Sequence, residues 1–240
     1  MSDLEVPAPE PPPRRLVVLI SGSGTNLQAL IDAQNTDLLP NTHIVLVLSN
    51  RKAAHGLVRA ASAKPPIPTA YLALQPYLKA NAGKTREDYD LEIARLVVRA
   101  KPDLVVLAGW MHIVSEGFLD VLKGKAVLGG EEEEEEGLVG REIPVINIHP
   151  ALPGQFDGAS AIQRGYAAFQ KGEVDRLGVM VHRVVAQVDR GEPLIVREVG
   201  IAKGEPIDQY EERLHKVEWE IIVQATRRVL DEVKPLSTNR

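Results

Sequence analysis

An amide and an imidazole stand two residues apart at the end of an apolar run, in the segment VINIHPALPG at 145–154. In a β-strand, residues i and i+2 point to the same face, so the side chains of Asn147 and His149 would converge on one spot. An amide donor beside a titratable imidazole can stabilise a developing oxyanion and move a proton. A buried Asn–His pair that only ties down a loop would have the same spacing, so the spacing alone leaves both interpretations open.

A third group is needed to orient an imidazole that transfers protons. Asp189, in the segment VDRGE at 188–192, is the candidate, although aspartates in turns commonly serve only the turn. The chain has no cysteine and no Gly-x-Ser-x-Gly segment, so a covalent acyl-enzyme is not expected. Direct transfer between two bound substrates is the chemistry that remains.

A glycine-rich turn follows the first apolar run, in the segment SGSGTNLQ at 21–28. Glycines permit a tight turn, and a helix that starts there presents free N–H groups to an anion, preferably phosphate. The segment is neither a dinucleotide fingerprint, because Leu27 replaces the third glycine, nor a Walker A loop. The alternative is a plain glycine turn capped by Ser23 or Thr25.

Apolar runs predict the strands that carry these segments. Such runs, apolar on both faces, are typical of parallel strands covered by helices. The predicted strands are Leu16–Ile20, Ile44–Leu48, Leu104–Leu107 and Val145–Ile148, and helical patterns lie between them at Asn26–Ala33, Ala53–Ala63 and Arg86–Ala100.

The pattern changes after residue 150. Val179–Val185 and Leu194–Val199 flank a glycine-containing turn and predict an antiparallel hairpin. Apolar residues at helical spacing over Pro206–Val233 predict a long amphipathic helix. The sequence therefore predicts an α/β fold: a doubly wound, Rossmann-like, mostly parallel sheet with a C-terminal antiparallel hairpin and a long terminal helix.

The composition narrows the functional class. A net charge of −5 argues against nucleic acid as a main partner, but a local site can still bind a small anion. Without cysteine there are no disulfides or Cys-based zinc sites, and the six histidines are scattered, so no metal is expected. No apolar run approaches the roughly 20 residues of a membrane span, and the N-terminal segment does not resemble a signal peptide. We expect a cytoplasmic protein with small-molecule substrates and no membrane partner. The sequence does not distinguish a monomer from a homodimer.

One domain is predicted at 15–235, with halves at 15–125 and 143–235. Residues 1–14 form a Pro-rich tail that we expect to be disordered. Between the halves, the segment 129–142 holds six consecutive glutamates, Glu131–Glu136, whose mutual repulsion predicts a disordered acidic insert.

Seven blocks, in order, resemble the phosphoribosylglycinamide (glycinamide ribonucleotide) formyltransferase family. They are LVVLISGSGTNLQALIDA, SNRKAAHGL, TREDYD, LVVLAGWMHIVS, INIHPALPG, MVHRVVAQVDRGEPLI and QYEERLHKVEWEIIV. The segment HPALPGQFDG is similar to the fungal members. The resemblance implies the formyltransferase fold and the transfer of a formyl group from the co-substrate 10-formyltetrahydrofolate to the amine of 5′-phosphoribosylglycinamide, in purine biosynthesis.

The resemblance also implies roles for individual residues. The first half would bind the nucleotide substrate, and the second half would complete the folate site. The implied catalytic residues are Asn147, His149 and Asp189. The implied substrate contacts are Ser23, Gly24, Thr25, Asn26, Arg86, Ile148, Pro150 and Glu218, with the substrate phosphate on 23–26. The implied folate contacts are Arg86, Met111, Ile113, Val114, Asn147, Val188 and Asp189.

The chain departs from the family pattern at several positions. His112 stands where bacterial members carry arginine, and His215 stands where animal members carry lysine. Three alternatives remain open. A 10-formyltetrahydrofolate hydrolase usually has an additional N-terminal domain, and a methionyl-tRNA formyltransferase usually has a C-terminal barrel for tRNA. A nucleotide-binding module without activity is the third.

Overall fold

The computed structural model describes residues 11–126 and 142–236. The strands are β1 (Arg14–Ile20), β2 (Thr42–Ser49), β3 (Thr69–Tyr71), β4 (Leu104–Leu107), β5 (Val145–His149), β6 (Leu177–Arg183) and β7 (Pro193–Val199). The helices are α1 (Thr25–Ala33), α2 (His55–Ser62), α3 (Leu74–Ala80), α4 (Arg86–Arg99), α5 (Glu116–Leu122), α6 (Ala161–Lys171) and α7 (Ile207–Val233).

The strands form one sheet in the order β3-β2-β1-β4-β5-β6-β7. The first five strands pair in parallel, whereas β6 pairs antiparallel with β5 and with β7. The predicted fold class is therefore confirmed, including the antiparallel addition and the long terminal helix. In such a sheet, ligands bind beyond the carboxyl ends of the parallel strands.

Alternate residues of the strands enter two hydrophobic cores, one on each face of the sheet. In β1, Leu16, Val18 and Ile20 pack with apolar side chains of α1 and α7, and Val17 and Leu19 pack with those of α4 and α5. Because both faces are covered, the runs Leu16–Ile20 and Leu104–Leu107 are apolar throughout, as the sequence predicts. The helices thus cover both faces of the sheet around β1 and β4.

The first strand begins earlier than predicted, because Arg14 belongs to β1 and not to a tail. Arg14 is only 1% exposed. Its guanidinium donates to Asp231 Oδ1 at 2.6 Å, the Pro40 carbonyl at 2.7 Å and Thr42 Oγ1 at 3.2 Å. These partners satisfy the buried charge, which would otherwise be costly to bury. Residues 1–10 of the predicted tail and 129–141 of the acidic insert lie outside the described residues.

Four short elements were not predicted. β3 has three residues and lies at the edge of the sheet, and α3 has seven residues with Pro76 in its first turn. α5 has seven residues, and α6 contains Gly165, which weakens helical propensity. Within residues 11–126 and 142–236, no helix combines the length and the apolar character needed to span a membrane.

Candidate active site

A cleft of about 590 Å³ lies beyond the carboxyl ends of β1, β4 and β5. The residues that follow these three strands face it, as do parts of α7, of the loop between β5 and α6 and of the loop between β6 and β7. Its lining includes these predicted site residues: Ser23, Gly24, Thr25, Asn26, Met111, Ile113, Val114, Asn147, Ile148, His149, Pro150, Val188, Asp189 and Glu218. The tertiary structure thus brings together segments that are more than 190 residues apart (218 − 23 = 195).

Asn147 and His149 both contact Asp189, and the three residues are called the polar trio. Asn147 Nδ2 donates to Asp189 Oδ1 at 3.3 Å, and His149 Nδ1 lies 3.4 Å from Asp189 Oδ2. Asn147 and His149 therefore project from the same face of β5, as their spacing predicts. The two oxygens of the Asp189 carboxylate contact different residues: Oδ1 contacts Asn147 and Oδ2 contacts His149.

Asp189 lies in the nine-residue loop 184–192 between β6 and β7. Its backbone has a φ of 54°, a left-handed conformation that non-glycine residues rarely adopt. Burial disfavours the charged carboxylate, but a hydrogen bond with His182, the Gly158 amide and the charge of His149 outweigh burial and hold the pKa of Asp189 below its ordinary value. Asp189 is therefore a charged acceptor at neutral pH.

Backbone groups of the loop 150–160 contact two members of the polar trio. Gly158 N–H donates to Asp189 Oδ2 at 2.8 Å. The Gln155 carbonyl oxygen lies 3.1 Å from His149 Nε2, and because a carbonyl only accepts, Nε2 carries the proton in this contact. The imidazole of His149 is thus placed between two oxygen acceptors, and a ring protonated on both nitrogens can donate to both.

His182, on β6, stands beside Asn147 on the neighbouring strand. Its Nδ1 lies 2.8 Å from the Arg183 carbonyl oxygen and therefore carries a proton. Nε2 lies 3.1 Å from Asn147 Nδ2 and 3.4 Å from Asp189 Oδ1. To accept from Asn147 Nδ2, His182 Nε2 must be unprotonated, whereas to donate to Asp189 Oδ1 it must carry a proton. The two contacts therefore require different protonation states of Nε2.

The glycine-rich turn leads from β1 into α1. Gly24 is the N-cap with a φ of 72°, and a Cβ added there would lie 2.5 Å from Gly56 Cα. Only glycine fits this close contact between the starts of α1 and α2. The first N–H groups of α1 face the cleft without a capping side chain at Gly24, and Arg51 also lines the cleft. This end of the cleft is therefore suited to an anion.

An apolar wall follows β4. Met111 and Ile113 line the cleft and remain 60% and 55% exposed, which is unusual for large apolar side chains. The adjacent His112 does not point into solvent, since its Nε2 contacts Asp90 Oδ1 at 2.5 Å, and Asp90 also accepts from Ser115 N–H. This wall offers a surface to a flat apolar ring.

Glu218 of α7 is buried and lines the cleft together with His215. His215 Nδ1 lies 2.8 Å from Glu218 Oε2. The hydrogen bond with Glu218 raises the pKa of His215 above its ordinary value, against the smaller opposing effect of burial. The pair places a carboxylate and a titratable ring on the cleft wall that α7 forms.

Two predicted contacts have different surroundings from those expected. Arg86 is not among the residues that line the cleft, and its guanidinium instead donates to the Ile113 carbonyl behind the apolar wall. The side chain of Ile148 packs into the core on the opposite face from Asn147. Sequence reasoning missed the contacts made by Gln155 and Gly158, because backbone groups carry no residue-type signal.

The chain is similar to known proteins over most of its length. A family model described as Formyl transferase matches residues 14–128 and 138–226. The chain is 44% identical over 221 residues to a phosphoribosylglycinamide formyltransferase of Schizosaccharomyces pombe, covering 91% of this chain and 98% of that protein. It is 41% identical over 230 residues to a protein of the same name from Saccharomyces cerevisiae, with the same coverage. A solved glycinamide ribonucleotide transformylase 1 from Geobacillus kaustophilus has a TM-score of 0.70 and 31% identity, covering 90% of this chain and 98% of that one.

Proposed function

The chain belongs to the formyl transferase family, and on that premise we propose that it transfers a formyl group from 10-formyltetrahydrofolate to the amine of 5′-phosphoribosylglycinamide, in purine biosynthesis. The names of its relatives support phosphoribosylglycinamide as the formyl acceptor. The observation that carries the proposal is the polar trio of Asn147, His149 and Asp189, which faces a cleft with an anion-binding turn and an apolar wall. The absence of cysteine fits a reducing compartment, so we place the activity in the cytoplasm.

The phosphorylated substrate fits the end of the cleft formed by the glycine-rich turn. The N–H groups at the start of α1 would bind its phosphate, and residues 23–26 would surround it. Glu218 would accept hydrogen bonds from the ribose or the glycinamide end, since its carboxylate lines the same cleft. These contacts would leave the free amine directed toward the polar trio.

The formyl donor fits the apolar wall. Its pterin ring would contact Met111, Ile113 and Val114, while Val188 would close the opposite side.

Asn147 and His149 would stabilise the negative charge that develops on the formyl oxygen. The substrate amine attacks the formyl carbon, a new N–C bond forms, and the bond from that carbon to N10 of the donor breaks. One proton leaves the amine and one is delivered to N10. A contact between His149 Nε2 and the oxyanion would replace its bond to the Gln155 carbonyl. Asp189 would face His149 Nδ1 and orient the ring, so that His149 both donates to the oxyanion and transfers the proton.

An absorbance assay with 10-formyltetrahydrofolate, with and without 5′-phosphoribosylglycinamide, tests the proposal. We expect turnover only when the ribonucleotide is present, because its amine is the acceptor. Turnover without it would instead identify a hydrolase that uses the same polar trio and water. Binding of both substrates without turnover would favour a binding module and contradict the proposed activity.

A further inference from the structure

An ion pair joins the two loops that hold the polar trio. Arg190, next to Asp189, donates through Nε to Asp157 Oδ2 at 2.7 Å, and its Nη2 lies 2.6 Å from the same oxygen. Asp157 is next to Gly158, whose N–H donates to Asp189. The ion pair therefore joins the residues next in sequence to Gly158 and Asp189, which are themselves joined by a hydrogen bond.

Both loops contain backbone that does not hold its conformation by itself. Asp189 and Phe156 have φ values of 54° and 52°. These values lie in the left-handed region, which is unfavourable for residues other than glycine. Such conformations persist only when surrounding contacts impose them. Arg164 supplies some of these contacts, since it donates to the carbonyls of Phe156 and Asp157 at 2.6 Å and 2.7 Å. Arg190 supplies a contact between the loops in addition to the hydrogen bond from Gly158 N–H to Asp189.

We infer that Asp157 and Arg190 are a positioning pair, which holds the loop 150–160 against the loop 184–192 so that the Gly158 amide keeps Asp189, and through it His149, in the geometry needed for reaction. Neither residue lines the cleft. The inference rests on the proposed function for its kinetic consequence, but the geometry it describes can be measured without turnover.

Because the ion pair is partly exposed, a positioning role can be distinguished from a contribution to global stability. The side chain of Arg190 is 55% exposed and that of Asp157 is 29% exposed. Exposed ion pairs contribute little to global stability, because solvent screens them. Reaction rates, by contrast, fall steeply when catalytic groups are displaced, by about 10²-fold for a shift of roughly 1 Å. Loss of the pair should therefore reduce turnover while leaving thermal stability nearly unchanged.

Steady-state kinetics of the full-length Arg190→Met variant test this. We expect kcat to fall about 10- to 100-fold, while the KM values for both substrates stay near those of the wild type. Arg190→Lys keeps the charge but makes fewer contacts, so its kcat should be intermediate. The double variant Asp157→Asn/Arg190→Met should lose no more than either single variant, because both changes remove the same interaction.

Arg176→Met is the matched control. Arg176 forms an exposed ion pair with Glu198 at 2.8 Å, and neither residue lines the cleft. Equal kcat in the Arg190→Met variant and in this control would overturn the inference, and so would additive losses in the double variant. A fall in melting temperature that accounts for the lost activity of Arg190→Met and Arg190→Lys would also overturn it.

A second readout does not require turnover. Two-bond ¹H–¹⁵N spectra of the imidazoles report the surroundings of the His149 nitrogens. Arg190→Met should shift or broaden the His149 signals, and Arg176→Met should not. If the wild type shows no transferase activity, the proposed function fails while this spectrum still decides the positioning role. Unchanged His149 signals in Arg190→Met would overturn the inference in either case.

Discussion

Asp189 Oδ2 faces His149 Nδ1 at 3.4 Å, while the opposite nitrogen of the same ring faces the Gln155 carbonyl oxygen at 3.1 Å. The imidazole is therefore held at both ends by oxygen acceptors from two different loops. A histidine that only anchored a loop would need one such contact. The second contact fixes the rotation of the ring and leaves Nε2 as the donor that the oxyanion would take over from the Gln155 carbonyl.

Removing either donor of the polar trio should abolish most of the activity. We expect His149→Ala and Asn147→Ala each to lose at least about 10²- to 10³-fold in kcat, the usual cost of one oxyanion donor. His43→Ala is the control, since His43 is exposed and lies outside the cleft. Steady-state kinetics of the three variants check this. A His149→Ala variant with near-normal turnover would contradict the mechanism.

The charge of Asp189 should make stability depend on pH in the acid range. Because its pKa in the folded protein is lowered from 3.8, it contributes stability that is present above 3.8 and is lost as the pH falls through the lower folded value. The Asp189→Asn variant lacks this contribution. We therefore expect its deficit in the free energy of unfolding to be largest near neutral pH and to shrink in acid. Urea denaturation of both proteins over this range measures it, and a deficit that does not change with pH would contradict the assignment.

His215 should have the opposite pH dependence. Its pKa in the folded protein is raised from 6.5, so its contribution is fully present below 6.5 and is lost as the pH rises through the higher folded value. We expect His215→Gln to destabilise the protein more at slightly acidic pH than at alkaline pH. Melting temperatures of the two proteins across this range check the prediction. The converse pattern, with a larger deficit at alkaline pH, would exclude a charged pair with Glu218.

Substitution of Gly24 should damage both stability and phosphate binding. Gly24→Ala places a Cβ 2.5 Å from Gly56 Cα and imposes a φ of 72° on alanine. We expect a loss of about 1–3 kcal/mol in the free energy of unfolding, the usual cost of such backbone strain. The KM for the ribonucleotide should also rise. Gly22→Ala is the control for stability alone, because its Cβ would meet nothing within 4 Å. Equal stability of the two variants would contradict the argument.

The apolar wall should affect binding of the formyl donor without affecting stability. The side chain of Ile113 is already largely exposed, so Ile113→Ser should leave the melting temperature nearly unchanged. Loss of its contact with an apolar ring should raise the KM for 10-formyltetrahydrofolate by about tenfold or more. Leu38→Ser is the matched control, because Leu38 is similarly exposed but lies outside the cleft. The same KM in both variants would exclude this wall as the folate site.

Several features of the fold follow from local pattern alone. Runs such as Leu104–Leu107 are apolar on both faces, and this predicts buried parallel strands whatever the path of the chain. The spacing of Asn147 and His149 likewise predicts that they share a face, because successive side chains of a strand alternate. Short elements such as β3 and α3 have too few residues to establish a period, so they could not be predicted.

The sequence by itself determined the alternation of strands and helices, the glycine turn before α1, and the convergence of one amide and one imidazole. Only the tertiary structure decided that Asp189 reaches both of them, that Arg14 is buried, and that Arg190 joins Asp157. The physical reason is the separation along the chain. Periodicity and turn chemistry involve residues close in sequence and are visible in residue types, whereas these contacts join segments that are distant in sequence. The hydrogen bonds of Gln155 and Gly158 are made by a backbone carbonyl and a backbone N–H. Every residue except proline has both groups, so the residue types do not show which of them will contact the site.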